Sequence, residues 1–180
     1  PLPAAQLIDR PVIEKLNALR ITPSPLVDDE LYLRRVYISL MGWPPQPEEI
    51  RTFLADQDPN KRAKVVESIF AREEFIDHWS LKWADLLQNS RTTLSEQSVF
   101  ALREWIRGAI AANMPLDEFA RGVLTGKGGA QDGPTAAYYA ISKDTNDTLE
   151  RVTQVFCGVR MLCARCHSHP AENWTQADYY

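Results

Sequence analysis

Apolar residues recur at intervals of three and four from one end of this chain to the other, and no stretch alternates polar with apolar long enough to form a half-buried strand. The two periods exclude each other, because a helix returns side chains to one face every three or four residues and a strand every two. The pattern predicts an all-α fold: an irregular multi-helix domain of about eight helices over residues 1–180.

Proline and glycine divide the helices. A first helix starts near Ala4 and carries Leu7, Ile8, Val12, Leu16 and Leu19, with Pro11 as a kink or late first-turn residue. Ile21-Thr-Pro-Ser-Pro-Leu26 reads as a rigid connector to a helix from about Asp29, which Gly42-Trp43-Pro44-Pro45 halts. Pro47-Glu48-Glu49 opens the next, with proline and acids where a helix N-terminus favours them. A fourth, from about Pro59, is expected to bury Val65, Val66, Ile69 and Phe70. An aromatic helix over Arg72–Gln88 sets Phe75, Trp79, Trp83 and Leu86 at helical spacing, and its rings read as core. Leu94–Asn113 and a short helix ending near Gly126 follow. Gly126–Pro134 holds four of the eight glycines and reads as a flexible surface loop, with no Gly-Lys-Ser/Thr entering a helix to make it a phosphate loop.

A length of 180 residues at 44% hydrophobic content suits one domain with its own core. The net charge of −4 argues against a nucleic-acid partner, since no basic surplus is available to neutralise phosphates. No apolar run approaches the roughly 20 residues of a membrane span.

Chemistry concentrates in Cys163-Ala-Arg-Cys166-His167. A helical turn puts both thiols and the imidazole on one face. Leu149, Val152, Phe156 and Val159 continue an apolar stripe towards them, so the motif is expected at the C-terminal end of a late helix. Asp144–Asp147 offers its N-cap, with Glu150 three residues after Asp147 as in a capping box, and Pro170 limits its extent. Two cysteines two residues apart with an adjacent histidine fit covalent attachment of haem c, each thiol adding to a vinyl group and the imidazole reaching the iron. A second reading makes Cys163, Cys166, His167 and His169 ligands of a structural zinc ion, and a third makes the pair a redox dithiol. Zinc ligands usually come as separated pairs that close a loop, whereas these four lie within seven residues. Cys157, in an apolar segment, reads as a buried inert thiol.

Beyond the motif stand His169-Pro170, Trp174-Thr175-Gln176 and Asp178-Tyr179-Tyr180. Before it come Ile8-Asp9-Arg10, Gly42-Trp43-Pro44-Pro45, Pro47-Glu48-Glu49, Trp79 with Lys82-Trp83-Ala84-Asp85, and Phe156 with Gly158-Val159. In this order they resemble the planctomycete-type cytochrome domain family, PSCyt2, long listed as a domain of unknown function. The resemblance implies one covalent haem c per chain on Cys163 and Cys166, with His167 as the proximal iron ligand. It also implies export to the periplasm or beyond, and residues 1–180 as a domain excised from a larger protein. It supplies no reaction.

The far side of the iron decides between electron transfer, which two strong ligands favour, and small-molecule binding or catalysis at an open position. His169 and Met161 are too near His167 in the chain to cross to the opposite porphyrin face. Lys82 and His78, four apart on the aromatic helix, are the distal candidates, with Met114 and Met41 behind them. The resemblance adds that relatives commonly carry histidine at the Lys82 position. A lysine ligand must lose its proton, which burial and the metal favour.

The leading functional reading is an exported c-type cytochrome module that transfers electrons to or from a redox partner or fused domain. Behind it stand a haem enzyme or sensor with an open iron position and a zinc-stapled helical interaction module. No other catalytic constellation is visible: the serines lack a histidine base, and Glu48/Glu49 and Glu73/Glu74 are explained by helix starts.

Overall fold

Ten α-helices and two short 3-10 turns make up the regular structure of the computed structural model, which describes residues 3–129 and 133–180, and no strand occurs among them. The all-α reading holds, with more helices than the expected eight or so. In chain order they are α1 (Pro3–Ala18), α2 (Asp29–Met41), α3 (Pro47–Ala55), α4 (Lys61–Phe70), α5 (Glu73–Leu86), α6 (Glu96–Ala111), α7 (Leu116–Leu124), α8 (Ala137–Ile141), α9 (Thr145–Cys157) and α10 (Gln176–Tyr179). The 3-10 turns are Pro134–Ala136, which leads into α8, and Met161–Arg165. The glycine-rich stretch expected to be a flexible loop lies in part, at residues 130–132, outside the described residues.

Short polar side chains start α2, α6, α9 and α10 by taking up backbone N–H groups that have no partner inside them. Asp28 accepts from the Leu31 amide at 2.8 Å for α2, and Asp144 from the Asp147 amide at 2.8 Å for α9. Asp144 is thus the cap of α9, and the capping box expected between Asp147 and Glu150 does not form. The Asp147 carboxylate instead accepts from the Lys143 amide and from Arg151 Nε, each at 3.0 Å, and the Lys143 bond is the main reason its pKa lies below the ordinary value.

Two apolar cores share α5. Leu33, Tyr37, Met41, Phe53 and Ile69 of α2–α4 form the first, with Phe75 of α5 packed against it. Ala84 and Leu87 at the end of α5 join Leu102, Ile106 and Ala109 of α6, Phe119 and Val123 of α7, and Tyr138 and Ile141 of α8 in the second. Arg72 ties the junction, reaching Glu49 at 2.6 Å and Glu74 at 2.9 Å. Phe70, expected inside, is 47% exposed, because Ile69 takes the inward place on α4. Leu7, Ile8, Val12 and Ile13 of α1 also stay exposed, Leu7 at 80%.

A glycine changes the expected end of α9. Gly158 adopts φ 68°, in the left-handed region, and the Val159 amide turns back to the Thr153 carbonyl at 3.0 Å. This C-cap closes the helix at Cys157. The cysteine motif therefore does not end a late helix, as expected, but occupies a separate turn beyond it. An added Cβ at Gly158 would meet no atom within 4 Å, so the cost of a side chain there is conformational alone. Gly158→Ala is expected to lower stability by about 1 kcal/mol, read as a lower urea midpoint with an unchanged slope.

Candidate cofactor-attachment site

Residues three apart in a 3-10 turn eclipse one another, and Met161–Arg165 uses both sides of that geometry. Met161 and Ala164 point inward, buried against Tyr179, Leu149 and Val159. Cys163 and Cys166 point outward as exposed free thiols. The Cys163 carbonyl accepts from the Cys166 and His167 amides, both at 3.4 Å, so one turn of backbone carries all three expected attachment residues.

Packing from α9 and α10 fixes this turn. Tyr179, buried at the end of α10, donates its hydroxyl to Glu150 Oε1 of α9 at 2.6 Å. Gln176 Nε2 donates to the Arg165 carbonyl at 3.1 Å. Thr175 and Asp178 form the capping box that starts α10. The sequence reading missed Glu150 and Tyr179 as supports, although Thr175-Gln-Ala-Asp178 is a legible helix start carrying Tyr179 behind it.

Burial and the bond to Glu150 push the Tyr179 phenol from 10.0 up to about 12. The fold thus favours the neutral phenol, and the associated stability is fully present below the unfolded value and is lost as pH rises through the folded one. Tyr179→Phe is expected to cost about 1 kcal/mol at neutral pH. Denaturant midpoints measured between about pH 10 and pH 12 should fall more steeply for the parent chain than for the variant.

The two neighbouring histidines are set oppositely. His167 Nδ1 lies 2.7 Å from the Ser168 carbonyl, which can only accept. Nδ1 therefore carries the proton, and the lone pair is on Nε2, the arrangement of a metal-ligating imidazole held by an outer carbonyl. His169 Nδ1 accepts from the Ala171 and Glu172 amides at 3.2 and 3.0 Å, so its lone pair is spent on the loop and its proton sits on Nε2. The donor set thus fits haem c: two outward thiols and one imidazole with a free Nε2. No group of three or more histidine, cysteine or acidic side chains gathers as a metal site among the described residues.

Beside the turn, Glu150, Gln154, Arg160, Met161 and Leu162 line a hollow of about 200 Å³. Gln154 also lines a second hollow, of about 370 Å³, which reaches Leu86 at the end of α5, Gln88 just after it and Tyr138 of α8.

The distal candidates lie on α5, whose main packing partners are α2, α4 and α6, whereas the cysteine turn packs on α9 and α10. Lys82 is exposed, its ammonium 5.8 Å from the Trp79 ring centre. His78 is half-buried against Gly42, where an added Cβ would come within 2.5 Å of its Nδ1. Its Nε2 is buried without a hydrogen-bond partner among the described residues. Burial first, and the Lys82 charge second, push its pKa down and keep the ring neutral. Met41 is committed to the first core, and Met114 packs at the edge of the second. Cys157, expected to be buried, is exposed, because the last turn of α9 directs it outward.

No described helix is long and apolar enough to cross a membrane. The sequence matches, over residues 7–180, the model of a family named PSCyt2 and described as a protein of unknown function (DUF1549). Comparison with curated proteins finds no match, and comparison with solved structures finds none.

Proposed function

We propose that this chain, which belongs to the PSCyt2 family, is an exported c-type cytochrome module holding one haem c. In this reading Cys163 and Cys166 form the two thioethers and His167 Nε2 is the proximal iron ligand. Bound haem supplies a one-electron iron couple, and the module passes electrons to a redox partner or fused domain. The observation that carries the reading is the His167 hydrogen bond to the Ser168 carbonyl, which frees Nε2 beside two outward thiols. The cytochrome-like family name agrees with it. The zinc alternative loses support, since His169 has already given its Nδ1 lone pair to two backbone amides.

Thioether attachment is made outside the cytoplasm, so this reading places the mature protein in the periplasm or beyond. Lys82 and His78 are the distal candidates this chain offers. A second reading, a haem enzyme or sensor with an open iron position, draws on one observation: both residues lie on α5, which is not among the main packing partners of the cysteine turn.

The test is expression in a host that matures c-type cytochromes. Intact mass under denaturing conditions should show one haem per chain, and the reduced pyridine derivative should give a c-type band. Bare polypeptide would end the proposal. Carbon monoxide added to the reduced protein separates the two readings, with resistance expected for two protein ligands and prompt binding for an open position.

A further inference from the structure

Residues 166–175 lie outside helix and strand, and every residue from Arg165 to Asp178 is exposed except the half-buried His169. Burial therefore does little to hold this segment, and hydrogen bonds must. Those bonds converge on His169. Its Nδ1 accepts from the Ala171 and Glu172 amides at 3.2 and 3.0 Å, and its own amide donates to the Trp174 carbonyl at 2.7 Å. The first two reproduce, with an imidazole nitrogen, the turn that Asn and Asp make with a side-chain oxygen, and Pro170 supplies a fixed φ inside it. Trp174 is tied in as well, its indole N–H donating to Glu172 Oε2 at 2.9 Å.

The peptide unit that His169 shares with Ser168 is thus held at both ends. Its N–H is spent on Trp174, and its C=O is the acceptor 2.7 Å from His167 Nδ1. Hydrogen bonds in line through one peptide polarise one another, so the Trp174 bond makes the Ser168 carbonyl a better acceptor. If that peptide turns, the His167 proton loses its partner.

We propose that His169 is a positioning residue: by closing the 169–174 loop through its Nδ1 it fixes the Ser168–His169 peptide, and that peptide selects the His167 tautomer with its lone pair on Nε2. The tautomer stands independently of any cofactor, whereas its consequence for iron rests on the haem reading above. A hydrogen bond from Nδ1 to an outer acceptor orients a ligating imidazole and makes it more basic. Its loss should raise the reduction potential of haem held through Nε2, because the oxidised iron gains most from a strongly donating ligand.

Asn and Gln at this position separate the two ring nitrogens. Asn Oδ1 stands two bonds from Cβ, as Nδ1 does, whereas the Gln amide lies one carbon further out, level with Nε2. Histidine ring 15N spectra of the unmatured chain, at about pH 8.5 where an imidazole carries a single proton, report which nitrogen holds it. The His167 signals are assigned by their absence from His167→Ala. A single Nδ1–H tautomer of His167 is expected in the parent chain and in His169→Asn, and a mixture of both tautomers in His169→Ala and His169→Gln. After maturation all four chains should carry one haem, with the midpoint potential unchanged in His169→Asn and higher in the other two variants. A mixture already present in the parent, a single tautomer in His169→Ala, or equal potentials in His169→Asn and His169→Ala would overturn the proposal. So would a lowered urea midpoint of His169→Ala with tautomer and potential unmoved, which would leave His169 a loop staple and no more. Absence of haem from the matured parent would defeat the haem reading, while the spectra of the unmatured chain would still decide the role of His169.

Discussion

Cys163→Ala combined with Cys166→Ala is expected to take covalent haem from one per chain to none, with the fold otherwise intact. Both thiols are exposed and belong to no apolar cluster of the fold, so their removal opens no cavity. Substitutions of that kind usually move stability by no more than about 0.5 kcal/mol. The loss of haem therefore cannot be ascribed to unfolding. Each single variant should keep one thioether and a reduced yield, whereas His167→Ala should keep both thioethers and lose the proximal ligand, read as a changed spectrum with an unchanged covalent mass. Intact mass and absorption of the four variants, beside a urea titration of the double variant, check the whole set. Haem retained through denaturation by the double variant would show that these sulfurs are not the attachment points. A parent chain that binds zinc and no haem would restore the alternative with His169 as a ligand.

That experiment targets residues visible from spacing alone, and the contrast with what spacing concealed is instructive. Cysteine and histidine order is a local property, so a turn that brings them together can be read directly. Where the turn sits is less local. The apolar stripe Leu149, Val152, Phe156 and Val159 keeps helical period across Gly158, and periodicity alone runs the helix into the motif. The signal that stops it is the glycine at the C-cap, with its left-handed backbone. Asp144 is legible as a polar helix start, but the choice among Asp144, Asn146 and Asp147 depends on which side-chain oxygen meets which backbone amide. Residues 134–141 passed unread, since two short turns offer too few residues to display a period.

Burial was read least well, because it depends on neighbours that periodicity does not name. Helix α1 has the apolar spacing of a packed helix, yet Leu7, Ile8, Val12 and Ile13 remain exposed. In α5 the buried residues are the small Ser80 and Ala84, while the larger rings are only partly covered. That arrangement places Trp79 and Trp83 on an apolar cavity and Trp83 beside Phe156. It also turns His78 towards Gly42 and leaves Lys82 in solvent, so two residues sharing a helix face sit in unlike surroundings.

Helix α6 is where the largest loss of stability is expected. Leu102 and Ile106, one turn apart, are both fully buried in the larger core, between α5 on one side and the 134–141 segment on the other. Leu102→Ala removes a fully enclosed side chain whose neighbours belong to several helices and cannot all move in to fill the space. The expected cost is about 2–5 kcal/mol, a large part of the roughly 5–15 kcal/mol that holds a domain folded. Leu116→Ala, at a position 61% exposed, removes the same atoms from a site still in contact with water and should cost well under half as much. Urea unfolding of the two variants beside the parent chain measures both. Similar losses would mean that α6 is not the centre of the core. The expected inequality has a functional consequence, since α6 is the main support of α5 and α5 carries Trp83 towards α9. Any stabilised Leu102→Ala protein that still folds should show the Trp83–Phe156 stack loosened before the cysteine turn, which rests on α9 and α10, is disturbed.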